Sequence, residues 1–150
     1  MKIGIFYASM SGNTEAIADS ITEKFKIHQH EVVLEDVHSV DNAMDLLHYD
    51  VTILGMYTWG DGDYPDECLD LVEELEETDL EGHSFAIFGS GDTSYPEFCG
   101  ALDHLKELLE SRGGSVLVDP LKIEFNPEPE DEEEIVKFVL EVVGKLKKSA

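Results

Sequence analysis

Lys2-Ile3-Gly4-Ile5-Phe6-Tyr7-Ala8-Ser9-Met10-Ser11-Gly12-Asn13-Thr14 is the stretch on which the reading of this chain turns. Residues 3–7 form a short apolar run behind a single positive charge. That pattern predicts a buried strand that starts at once, not a signal peptide, whose apolar region is longer. The chain then passes through 9–14 directly into a helical pattern, with Ile17, Ile21 and Phe25 recurring every four residues. The loop carries three hydroxyls, an amide and the free N–H groups of a helix start, which together make a phosphate cradle of hydrogen bonds and dipole. It has no lysine or arginine, so it is not a P-loop, and it lacks the three-glycine dinucleotide fingerprint. A monophosphate fits it better than a pyrophosphate.

The rest of the chain repeats this strand-then-helix unit. Further apolar, β-branched runs lie at 31–37, 51–57, 84–89 and 115–118, the last resuming at 121–125 after Asp119-Pro120. Helical spacing appears in Leu69, Val72 and Leu75, in Leu102, Leu105, Leu108 and Leu109, and in Ile135, Phe138, Val139 and Val142; a short helix is expected at 41–48. The alternation predicts one α/β domain over 1–150, a doubly wound five-stranded parallel sheet with helices on both faces. The acidic run 128–134 opens the last helix and Lys145, Lys147 and Lys148 close it, as the macrodipole favours.

Composition removes several classes of function. No apolar run approaches the roughly 20 residues of a membrane-spanning helix. Thirty-four acids against ten bases give a net charge of −24, which repels nucleic acid and anionic lipid and attracts basic partners. Six scattered histidines have no metal-ligand spacing, and Cys68 and Cys99 form no CxxC pair, so two reduced thiols and no metal are expected. A cytoplasmic location follows from the same features.

In an open parallel sheet, ligands bind beyond the carboxyl ends of the strands. The loop after the third strand reads Thr58-Trp59-Gly60-Asp61-Gly62-Asp63-Tyr64 and contains the only tryptophan, suited to stacking on a planar ring. The loop after the fourth reads Gly89-Ser90-Gly91-Asp92-Thr93-Ser94-Tyr95-Pro96. It offers backbone N–H groups near its glycines and a second aromatic face.

Ser9-x-Ser11-Gly12-Asn13-Thr14, Thr58-Trp59-Gly60-Asp61 and Gly91-Asp92-Thr93-Ser94-Tyr95 together resemble the flavodoxin family, over nearly the whole chain and in its short-chain form. The resemblance implies a three-layer αβα fold of strand order 2-1-3-4-5, the order for which that family is itself a standard example. It implies a non-covalently bound FMN and a low-potential one-electron carrier, a monomer with no substrate turnover of its own. By the same resemblance Ser9, Met10, Ser11, Gly12, Asn13 and Thr14 hold the phosphate, and Trp59 and Tyr95 flank the ring. Thr58, Gly60, Asp61, Ser90, Gly91, Asp92, Phe98 and Cys99 approach the ring's edge. Gly60 permits a peptide turn with φ > 0 that offers a carbonyl to flavin N5. Each carboxylate about 10 Å away, at an effective dielectric of about 40, disfavours the added negative charge by about 0.8 kcal/mol. The implied partners are basic redox proteins, namely an NADPH-dependent flavodoxin or ferredoxin reductase and electron-accepting enzymes, docking on the acidic rim.

Two other readings compete. An FMN-dependent NAD(P)H quinone or nitro reductase needs an open nicotinamide pocket over the flavin, where Trp59 and Tyr95 are expected to close both faces. A phosphorylated receiver needs acids after the first strand, where Ala8-Ser9-Met10 has none.

Overall fold

The computed structural model describes residues 1–9, 12–58, 62–91, 99–124 and 127–149, with side chains through 146. Strands β1 (Lys2–Tyr7), β2 (Glu31–Asp36), β3 (Val51–Tyr57), β4 (Ser84–Gly91), β5 (Ser115–Val116) and β6 (Leu121–Glu124) form one sheet. Every pairing in it is parallel, and its order is β2-β1-β3-β4-β5. The order and the doubly wound α/β class are those expected. The fifth sheet position is filled by two pieces, β5 against the start of β4 and β6 against its end. Pro120, with no N–H and a fixed φ, interrupts the ladder between them.

Helices α1 (Asn13–Ile27) and α4 (Asp131–Ser149) cover one face; α2 (Leu69–Glu76) and α3 (Gly100–Ser111) cover the other. The period-two alternation of the strands sorts their side chains between these layers. Ile3, Ile5, Val51, Ile53, Ala86 and Phe88 pack with Ile17, Ile21 and Phe25 of α1 and Phe138, Val139 and Val142 of α4. Phe6, Leu54, Met56, Phe85 and Ile87 pack with Leu75, Leu102, Leu105 and Leu109. Strand β3 is buried from Val51 to Met56, as its continuous apolar sequence requires of a central strand.

The segment expected as a short helix at 41–48 is a 3₁₀ turn, Ala43–Leu47, whose amino end is held by the Asn42 side chain accepting from Met44 N–H at 2.8 Å. Only Ala43 and Leu46 are buried there, too little to drive a longer α-helix. Acids occupy the first turn of α4, and one of them, Glu132, accepts from Lys24 Nζ at 2.5 Å and from Ser20 Oγ at 3.2 Å, tying α4 to α1. The Lys24 hydrogen bond holds the Glu132 carboxyl below its usual range. Among the described residues no helix is long and apolar enough to cross a membrane.

Candidate functional site

The parallel sheet delivers the ends of β1, β3 and β4 to one edge. The first loop begins at Ser9, half-buried, whose Oγ accepts the Gly12 N–H at 3.0 Å. Gly12 is the N-cap of α1 in the left-handed conformation, φ 89°, and supplies no capping side chain. The first intrahelical bond runs from Ala16 N–H to the Gly12 carbonyl at 3.0 Å. The N–H groups of Asn13, Thr14 and Glu15 precede it and have no partner within the helix. Among the described residues, nothing lies within 4 Å of a β-carbon built on Gly12, which leaves space beside the start of α1. An anion without a counter-cation fits here, held by amide N–H groups and the dipole.

One hydroxyl of that loop is used differently from the sequence expectation. Thr14 Oγ1 lies 2.8 Å from Ser90 Oγ near the end of β4, and both residues are buried. What Thr14 presents outward is therefore its backbone N–H.

The second and third loops are fastened to one another. Tyr57 pairs with Ser90 in the β3–β4 ladder, and Thr58 N–H continues it, donating to the Ser90 carbonyl at 3.3 Å. Thr58 Oγ1 accepts the Ala101 N–H at 3.3 Å, at the start of α3. Tyr57 donates its hydroxyl to Glu67 at 2.8 Å, which clasps the far side of the second loop against β3. Burial, then the Glu67 hydrogen bond, raise the Tyr57 phenol well above its ordinary value, so it stays protonated and remains a donor. The Tyr57–Glu67 tie is not legible in the sequence, because nothing in the spacing of the two residues signals it.

Gly91 closes β4 under Cys99. A β-carbon on Gly91 would stand 2.6 Å from Cys99 Sγ, so only glycine permits this approach. Cys99 has φ 54° and caps α3, and burial pushes its thiol up to about 12. Burial does the same to Cys68, so both free cysteines remain neutral thiols.

Of the residues expected at the site, Ser9, Gly12, Asn13, Thr14, Thr58, Ser90, Gly91 and Cys99 lie at this one edge. Met10, Ser11, Trp59, Gly60, Asp61, Asp92, Tyr95 and Phe98 lie outside the described residues. Among the described residues no cluster of side chains could hold a metal ion.

The order β2-β1-β3 places a topological switch between the loops after β1 and β3, where doubly wound proteins bind mononucleotides. Fold and site together define an α/β protein of that class. The family model for flavodoxin matches residues 5–138. The chain is 50% identical over 137 residues to "Probable flavodoxin 2" of Bacillus subtilis, covering 91% of each. It is 37% identical to a flavodoxin of Maridesulfovibrio salexigens, covering 95% of this chain and 97% of that one. The crystal structure of oxidised flavodoxin 2 from Bacillus cereus superposes with a TM-score of 0.91 at 47% identity, covering 97% of this chain and 99% of that one. The chain belongs to the flavodoxin family: it is an FMN-binding electron-transfer protein and not an enzyme. The reductase reading is not favoured, because the relatives carry the flavodoxin name.

Proposed function

We propose that the FMN phosphate is held by residues Ser9, Met10, Ser11, Gly12, Asn13 and Thr14, and that the ring lies between Trp59 and Tyr95. Thr58, Gly60, Asp61, Ser90, Gly91, Asp92, Phe98 and Cys99 then border its edge. The observation that carries this reading is the amino end of α1, with a left-handed Gly12, no capping side chain and, among the described residues, space beside it. FMN supplies the capacity to take up and release electrons one at a time. The chain's residues bind it, exclude water from its faces and set the charge around it. Gly60 leaves the peptide before Asp61 free to turn its carbonyl toward the ring's edge.

The acids near this edge make the carrier a low-potential donor. Asp63, Asp66 and Asp70 are exposed there, and the nearby Lys122 is taken up by Asp103 at 2.7 Å. The same rim suits weak docking by basic partners, a reductase on one side of the relay and acceptor enzymes on the other. The protein works in the cytoplasm as a monomer, where its thiols stay reduced.

Trp59 is the only tryptophan, so its emission reports directly on ring placement. Titrating apo-protein with FMN is expected to quench flavin and tryptophan fluorescence together, with an end point at one FMN per chain. Stoichiometric binding that leaves tryptophan emission unchanged would overturn the placement of the ring.

A further inference from the structure

Ser90 is where the three loops meet. Its hydroxyl lies 2.8 Å from Thr14 Oγ1, in the first turn of α1. Its carbonyl accepts the Thr58 N–H at 3.3 Å, and Thr58 Oγ1 accepts the Ala101 N–H at 3.3 Å. An unbroken series of hydrogen bonds therefore runs from the phosphate cradle, through the end of β4, to the loop after β3 and the start of α3. We propose that Ser90 is a positioning residue whose hydroxyl acts on the phosphate end of the ligand through Thr14, although Ser90 itself belongs to the ring loop. This rests on the reading of residues 9–14 as the phosphate cradle.

The physical case has two parts. Thr14 is 1% exposed and Ser90 3%, so neither hydroxyl has water as a substitute partner. Deleting one leaves the other buried and unpaired, the costly way to lose a hydrogen bond. Direction is the second part. With its hydroxyl turned inward onto Ser90, Thr14 meets the phosphate with its backbone N–H, one of the donors that have no partner within α1. The Ser90 bond therefore fixes the orientation of the first turn, whose N–H groups a phosphate, an acceptor only, takes up. A serine that merely fills space at the end of β4 would have no such preference for a phosphorylated ligand.

FMN and riboflavin separate the two roles, since they share the ring and differ in the phosphate. The experiment compares their dissociation constants for apo-protein by flavin fluorescence, in wild type, Ser90→Ala, Thr14→Val and the double variant. Ser90→Ala is expected to weaken FMN about tenfold and riboflavin less than about twofold, the scale of one buried hydrogen bond. The double variant is expected to be no worse than Thr14→Val alone, because both changes remove the same bond. Equal weakening of the two flavins by Ser90→Ala overturns the proposal, as do unchanged constants or a double variant showing the product of the single effects. Should Ser90→Ala not fold, Ser90→Cys serves in its place: its weak S–H donor is expected to give an intermediate FMN-to-riboflavin ratio, and a wild-type ratio overturns the proposal. A wild-type protein that binds riboflavin as tightly as FMN is a different failure, and sinks the phosphate cradle itself.

Discussion

Among the described residues, a methyl group added at Gly12 would touch nothing within 4 Å, whereas one added at Gly91 would stand 2.6 Å from Cys99 Sγ. Two glycines of the same site are thus required for different reasons. At Gly12 the reason is backbone conformation, since φ 89° is strained for any residue with a β-carbon. At Gly91 it is close approach, with the Cys99 sulfur, amide nitrogen and Cα all crowding the position. The distinction predicts two outcomes in urea denaturation. Gly12→Ala is expected to cost about 1 kcal/mol, from strain alone. Gly91→Ala is expected to cost about 2 kcal/mol by overpacking, and adding Cys99→Ala should restore part of that, because the sulfur is the nearest clash. The same Cys99→Ala change should do nothing for Gly12→Ala. If the cysteine change fails to help Gly91→Ala, close approach is not what excludes the side chain. The sequence showed that glycines belonged in both loops, but only the structure separates the two causes.

At the scale of elements, the loops are positioned by polar ties between segments that the sequence keeps far apart. Thr52, at the start of β3, donates its hydroxyl to the Leu46 carbonyl of the 3₁₀ turn and lies 2.9 Å from His83 Nε2. A threonine hydroxyl has one proton, already given to Leu46, so His83 donates from Nε2. Burial holds the His83 pKa below its ordinary 6.5. The folded state therefore binds the proton less well than the unfolded chain does. Stability from this group is complete above about pH 6.5 and is lost as pH falls from there toward the lowered folded value. Denaturation curves at about pH 7.5 and 5.5 are expected to show a larger acid loss for wild type than for His83→Gln, which cannot titrate; equal losses would remove His83 from the account. None of this was legible in advance. The strands were, because an apolar run such as 51–56 must be buried on both faces, and so were α1 and α4, with their regular apolar spacing. The edge on which the site lies followed from the parallel order alone. Side-chain ties such as Thr14–Ser90, 76 residues apart, and Thr52–His83, 31 apart, leave no local periodicity to read. The acidic run that opens α4 stands between these cases. Its dipole role was visible, whereas the choice of Glu132 for Lys24 depended on how α1 and α4 pack.

Across the whole molecule, a net charge of −24 on 150 residues makes salt act in two opposite directions. Like charges repel one another within the folded state, and salt screens that repulsion. Screening lengths fall from about 30 Å at 0.01 M to about 8 Å at physiological ionic strength. The melting temperature should therefore rise as salt is added. Electron transfer at the acidic rim proposed above should respond by the sign of its partner's charge. Asp63, Asp66 and Asp70 are exposed in the segment that follows β3 and in the first turn of α2, and Lys122 is paired with Asp103 at 2.7 Å. Small inorganic oxidants test this without any unidentified protein partner. Oxidation of the reduced protein by a cationic complex such as hexaammineruthenium(III) is expected to slow severalfold between about 10 mM and about 300 mM salt, because screening removes the attraction. Oxidation by anionic ferricyanide is expected to accelerate over the same range, because screening removes the repulsion. Stopped-flow traces giving slopes of opposite sign would place a negative potential at the point where electrons leave. Slopes of the same sign, or a flat response to both reagents, would mean that the charge lies elsewhere on the surface and does not select the partner.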